Sequence, residues 1–215
     1  MNKCIKTDVF NFKEVAMKNL MILTGVFFLI FIACQEKEKE REEPMAANQS
    51  NYEVASEKYS DLSDEALDRM SSLDFDAWGE LLAENVEYYF PDGDADTRTI
   101  LKGKQEVVEW WKNWKQNTGI DSMKFTDRVH IPVQANQELN YSGLTGVIVI
   151  SYFSNEMNYN GQPAQIRTNV AVHFTEDSLI DRFYTYYDRT PILKVVNANV
   201  LEIVVEKGEQ AEKGE

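Results

Sequence analysis

Apolar positions change period along this chain. Tyr52, Ala55, Tyr59, Leu62, Ala66, Met70 and Leu73 recur at spacings of three and four, which predicts one helical stripe. Asp74 then caps a second, short helix in which Phe75, Trp78, Leu81 and Leu82 are apolar. Asn85 to Phe90 reads as a strand, stopped by Pro91-Asp92-Gly93, and a polar loop runs on to Thr99. Gly103 opens a third helix, with Val107, Val108, Trp111 and Trp114 on its apolar side, and Gly119 ends it.

Beyond Gly119 the period falls to two. Met123, Phe125, Asp127, Val129 and Ile131 form one face of a strand; Lys124, Thr126, Arg128 and His130 form the other. Pro132 to Gly143 is a polar connection, and Leu144 to Phe153 is a strand rich in Val and Ile. Asn160-Gly161 is a type I′ hairpin signal. Gln165 to Arg189 then reads QIRTNVAVHF, TEDSLID, RFYTYYDR, two β-branched and aromatic runs around an acidic turn, the pattern of a long antiparallel hairpin. Asn197 to Val205 is a short apolar segment, and Lys207 onward is a polar tail. Helices first and strands after define an α+β class: three N-terminal helices on the concave face of a curved, mainly antiparallel sheet.

The start of the chain is patterned differently. Leu20 to Ala33 is an apolar run broken only by one Thr and one Gly, shorter than the roughly 20 residues that span a bilayer. Lys18 precedes it and Phe31-Ile32-Ala33-Cys34 closes it. A charged start, an apolar run and a small residue before a Cys resemble a bacterial lipoprotein signal peptide. The resemblance implies cleavage before Cys34, lipidation of Cys34, and a protein held at the cell envelope, at the outer membrane or cell surface. Residues 1–16 carry Asp8 and Glu14 and no apolar core, so translation is expected to begin at Met17. Gln35 to Glu43 is a charge run, read as a solvated tether; its acidic character after Cys34 also resembles the surface-export signal of Bacteroidetes lipoproteins. The expected organisation is a signal peptide over 1–33, lipidated Cys and linker over 34–50, a folded domain over 51–206 and a tail over 207–215.

Charge and composition narrow the function. A net charge of −14 argues against nucleic acid, which needs clustered Lys and Arg. The two cysteines, Cys4 and Cys34, lie outside the folded domain, and the two histidines, His130 and His173, are far apart. No metal and no cofactor are expected.

Helix, helix, LLAENVEYYFPDG, GKQEVVEWW and closing strands ending in Tyr-Tyr-Asp together resemble the SnoaL-like domains of the NTF2-like superfamily, over about Tyr52 to Leu193. The resemblance implies a cone that encloses a pocket, and a homodimer through the outer sheet face. It also permits a test against the ketosteroid isomerases. Phe90 stands where their base would be, Ala66 where their oxyanion Tyr would be, and Val170 where their neutral Asp would be. Acid–base chemistry needs a titratable group in reach, so that activity is not expected. The same alignment implies a pocket lined by Tyr88, Phe90, Trp111, Val170, Val172, Phe174, Phe183, Thr185 and Tyr187, which suits a small hydrophobic or aromatic ligand. The same residues could equally fill the core. Asn169, Ala171, His173, Tyr184 and Tyr186 should face outward.

Two carboxylates are catalytic candidates. Asp127 interrupts an apolar face, so it is either a buried base with a raised pKa or the mark of a bulge that turns it out. Asp188 either meets a ligand at the mouth of the cone or fixes the end of the last strand. His130 falls on a polar, solvated face unless the register slips by one, which would swap the faces of both histidines. Three functions are open: a lipid-anchored ligand-binding domain without catalysis, an enzyme of hydrolase, cyclase or dehydratase type, or a structural dimer module.

Overall fold

The computed structural model describes residues 50–202. The expected signal peptide and lipidation site at Cys34, most of the expected linker and the tail lie outside the described residues. The elements run β1 (Tyr52–Val54), α1 (Lys58–Ser71), α2 (Phe75–Gly79), β2 (Leu82–Tyr89), β3 (Ile100–Lys102), α3 (Lys104–Thr118), β4 (Ile120–Ala135), β5 (Gly146–Tyr159), β6 (Gln162–Phe174), β7 (Ile180–Tyr187) and α4 (Thr190–Val196). The strands form one sheet in the order β1-β4-β5-β6-β7-β2-β3. Every neighbouring pair is antiparallel except β2 with β7.

The α+β class is as expected, but the arrangement differs. A strand precedes the first helix, α3 enters only after β2 and β3, and α4 comes after the sheet. Tyr52, expected on the helical stripe, pairs instead with Ala135 on β4, and its neighbour Val54 pairs with Val133. They are 52% and 85% exposed, so the helical spacing of Tyr52 carried no burial. An open strand edge with unpaired N–H and C=O groups outweighed a local period. Asp74 caps α2 as predicted, accepting from the Ala77 N–H at 3.1 Å.

The decisive irregularity is in β4. Its pairing with β5 shifts between Thr126 and Val129, and Asp127 has φ +49°. This is a β-bulge, an extra residue that re-aims the side chains beyond it. Before it, Met123 and Phe125 are buried; after it, Val129 and Ile131 are 50% and 46% exposed. Arg128 and His130 turn to the helix side instead. The regular alternation expected over Met123–Ile131 is thus broken in the middle, and His130 lies inside, not solvated.

The hairpin of β6 and β7 keeps its predicted faces. Val170 pairs with Thr185 and Val172 with Phe183, while Asn169 pairs with Tyr186 and Ala171 with Tyr184 on the opposite face. His173 lies with the outward set. It meets the Asp181 carboxylate at 2.5 Å and the Thr145 carbonyl at 2.8 Å. Burial opposes charge on this imidazole, but Asp181 and the Thr145 carbonyl outweigh it, and its pKa rises above the ordinary 6.5. A raised histidine pKa contributes stability that is complete below the unfolded pKa and lost as pH rises through the folded one. His173→Gln is therefore expected to lower the melting temperature most at about pH 5.5, with the gap narrowing toward about pH 9. Melting curves of both proteins across that window check this; a gap that is constant or widens would refute it.

Candidate functional site: an aromatic cavity

Helices and inner sheet face do not close completely on each other. They leave about 110 Å³ of free interior space. On the same measure one water needs roughly 10–15 Å³, so the space suits a molecule of several heavy atoms. Each layer contributes to the wall. Ala66 and Met70 come from α1, Trp78 from α2, and Trp110, Trp111 and Trp114 from α3. The sheet supplies Phe125, Phe153, Ile166, Val170 and Phe183, and Ile192 and Leu193 of α4 close one side. The aromatic packing is edge-on for the most part: Tyr88 to Trp111 at 5.7 Å and 78°, Trp111 to Trp114 at 5.2 Å and 78°. That geometry places positive ring edges against negative faces.

The predicted lining divides. Tyr88, Trp111, Val170, Val172, Phe183, Thr185 and Tyr187 stand in the wall. Phe90 and Phe174 do not. Phe90 is buried against Trp110 at 4.6 Å, and Phe174 against Tyr59 at 5.2 Å. The Thr185 hydroxyl is already committed, donating to the Tyr89 carbonyl at 2.8 Å. Burial pushes Tyr187 up to about 12 and Tyr88 well above the usual phenol range. These phenols are neutral at physiological pH and can offer a ligand an O–H but not a base.

Neither candidate carboxylate reaches the cavity. Asp127 sits exposed on the bulge, accepting from the Ser154 hydroxyl at 3.2 Å; of its two sequence readings, the outward bulge holds. Asp188 is exposed and accepts from the Thr190 N–H at 2.8 Å, where it fixes the start of α4. Hydrogen bonding from Thr190, its side chain first and its backbone N–H second, holds the Asp188 carboxyl below the usual range. Among the described residues no group of His, Cys, Asp and Glu is gathered for a metal, and no helix is long and apolar enough to cross a membrane.

Other polar groups do line the cavity. Trp111 Nε1, Asn155 Oδ1, Thr168 Oγ1 and Arg189 Nη1 are buried without a hydrogen-bond partner among the described residues. Each belongs to a residue of the wall. Most buried polar groups in proteins are paired, and an unpaired one costs about 1–3 kcal/mol. Ser151 also stands in the wall, paired in register with His130. Its Oγ lies 2.8 Å from His130 Nδ1, and His130 Nε2 lies 3.1 Å from Asp64 Oδ1 on α1. Arg128 holds Asp64 at 3.0 Å and Asp68 at 2.7 Å. Burial pushes the Asp64 carboxyl up, but hydrogen bonds from Arg128 and His130 pull it below its ordinary 3.8.

Of these residues the sequence pattern names Trp111 as lining and His130 on a polar face, and passes over Asp64, Ser151, Asn155, Thr168 and Arg189. Ser151, Asn155 and Thr168 left a signal: each is a polar residue on the parity of apolar neighbours, Ser151 between Val149 and Phe153, Asn155 between Phe153 and Met157, and Thr168 between Ile166 and Val170. Arg189 left none, because it follows the last strand and its placement depends on where α4 begins.

No protein-family model matches the chain, and no curated protein matches it in sequence. Solved structures match it in fold. A Bacillus subtilis protein designated an isomerase superposes with a TM-score of 0.51 at 19% identity, over 66% of this chain and 95% of its own. PrhC from Penicillium brasilianum gives 0.50 at 19% identity, over 66% and 87%. A Silicibacter protein designated a polyketide cyclase gives 0.50 at 16% identity, over 68% and 100%. The neighbours are SnoaL-like, NTF2-like folds, and the described part of this chain has that mixed α+β fold with a seven-stranded sheet.

Proposed function

We propose that this chain is a lipid-anchored SnoaL-like domain that holds a small, mainly hydrophobic or aromatic molecule in its cavity. One observation carries the reading. Trp111 Nε1, Asn155 Oδ1, Thr168 Oγ1 and Arg189 Nη1 lack partners in an otherwise apolar wall. A few convergent polar groups in an apolar cavity are what a ligand site requires, and a filled core does not leave them unpaired. The ligand therefore carries an acceptor for the Trp111 and Arg189 donors on an apolar frame. Catalysis by Asp127, Asp188 or the isomerase set forms no part of the proposal. A second reading, an enzyme, is favoured by the Asp64–His130–Ser151 contacts alone.

Two further parts come from the sequence and the surface. The Phe31-Ile32-Ala33-Cys34 signal supports a lipid on Cys34 and a cell-envelope location. Exposed Val129, Ile131, Tyr152 and Tyr186 on the outer sheet face support a homodimer there, since such faces rarely stay open to water. Mass spectrometry of protein purified from membranes tests all three. The intact mass should begin at a lipidated Cys34, and the native spectrum should show a dimer carrying a small molecule. Val170→Trp, which fills the cavity, should lose that molecule and keep the dimer. A protein that retains neither a co-purified molecule nor added indole would sink the ligand reading.

A further inference from the structure

The bulge at Asp127 produces an arrangement that the ligand reading does not use. By turning His130 inward, it sets the imidazole directly opposite Ser151 across the β4–β5 ladder. The result is a chain of groups from helix to cavity. Asp64 accepts from His130, and Ser151 stands at the cavity end. The His130 side chain is 6% exposed and Ser151 is 3% exposed, so water competes little for either. The carboxylate can only accept, which places the imidazole hydrogen on Nε2. Nδ1 then offers its lone pair to the Ser151 O–H. Arg128, bonded to Asp64 and to the Phe125 carbonyl, fixes the carboxylate in place. A hydroxyl, a base within hydrogen-bond reach and a third group that orients the base are the parts of an activated nucleophile, recognised by geometry and not by chain order.

We infer that Ser151 is an acylatable nucleophile, with His130 its general base and Asp64 the positioning residue, acting on small apolar esters held in the cavity. This rests on the cavity being a ligand site. In the forward step the Ser151 Oγ–C bond forms at the ester carbonyl while the hydroxyl proton passes to His130 Nδ1. The C–O bond to the alcohol breaks, and His130 returns the proton to that leaving oxygen. Water then adds to the acyl-serine with His130 as base, releasing the acid and restoring the hydroxyl. Thr168, in register with Phe153 on the same inner face as Ser151, carries an unpaired hydroxyl available to the developing oxyanion. The wall of tryptophans and tyrosines limits the acyl and alcohol parts to short or flat groups.

The test uses the full protein, p-nitrophenyl acetate as ester and 4-nitroacetanilide, the slow amide of the same shape, as a binding probe. Wild type is expected to release p-nitrophenol and to carry an acetyl group on Ser151 in peptide mass spectrometry. Ser151→Ala and His130→Gln should each lose about 100-fold or more of kcat/KM while still binding the anilide. His130→Gln keeps a donor toward Asp64 and an acceptor toward Ser151, so loss of folding does not explain its effect. Asp64→Asn should lower kcat with KM unchanged and shift the acid limb of the pH profile, which a purely structural carboxylate would not do. Anilide binding without acetylation of Ser151 would overturn the nucleophile and leave the ligand reading standing. Exclusion of both probes from the cavity would overturn both.

Discussion

Trp78→Ala should destabilise the domain by about 3–5 kcal/mol, which lowers the melting temperature by about 10 °C or more for a domain of this size. Trp78 is 1% exposed and joins three elements. Its ring meets Phe75 at 6.5 Å, Trp111 at 6.4 Å and Phe183 at 5.6 Å, so it ties α2 to α3 and to β7. The truncated site adjoins the existing cavity, and neighbours that already border free space have little to lean against. Collapse into the hole is thus limited, and the loss belongs near the top of the range. Trp78→Phe should lose much less. An apolar hole of this kind takes up aromatic molecules, so indole should raise the melting temperature of Trp78→Ala more than that of the wild type. Thermal and urea denaturation with and without indole measure this. A loss below about 1 kcal/mol would mean that Trp78 is not a packing centre.

Much of this cavity was legible in the residues and some was not, for a physical reason. The hairpin faces could be read because Val170, Val172, Phe183 and Thr185 alternate without interruption, and an Asn-Gly turn pins the preceding register: Asn160 and Gly161 both adopt positive φ, as a type I′ turn demands. Phe90 and Phe174 were misplaced because a strand's parity names a face and not a neighbour. Both lie inward, yet Trp110 and Tyr59 reach them first. The β4 strand failed at one residue. An Asp on an apolar parity signals either a buried charge or a bulge, and no local property separates them; the β5 partner decides. Here Asp127 in the left-handed region finds the Ser154 hydroxyl. That choice carries His130 inward and turns Val129 and Ile131 out. One bulge therefore decides both the interior dyad and the exposed apolar face.

Arg98→Met should cost about 3 kcal/mol, although methionine matches most of the volume. Arg98 left no trace in the sequence beyond a polar loop, yet it is only 9% exposed. Its Nε donates to the Phe90 carbonyl, Nη2 to the Thr185 carbonyl at 2.7 Å, and Nη1 to the Tyr186 hydroxyl at 3.4 Å. Among the described residues its partners are carbonyls and a phenol, not carboxylates. Its guanidinium carbon also lies 4.8 Å from the Tyr186 ring centre, within cation–π range. Two opposing terms decide the outcome. Removing a buried cation relieves its desolvation, which favours methionine. Against that, each hydrogen bond from a charged donor is worth about 1.5–3 kcal/mol, and the Phe90 and Thr185 carbonyls would both lose one. The second term prevails because the charge is spread over a planar fork and dispersed onto ring faces, which lowers the desolvation it relieves. Arg98→Lys should recover little, since a compact ammonium lacks the planar fork whose separated Nε and Nη2 reach the two carbonyls. The site lies where β2 and β7 run parallel, the pair that sets Tyr88 against Phe183 with rings 5.1 Å apart. Arg98→Met should therefore also speed amide hydrogen exchange along β2 and β7 ahead of the rest of the sheet. An equally stable Arg98→Met protein with unchanged exchange would show that the guanidinium only fills space, and that the cavity wall is held by its aromatic contacts alone.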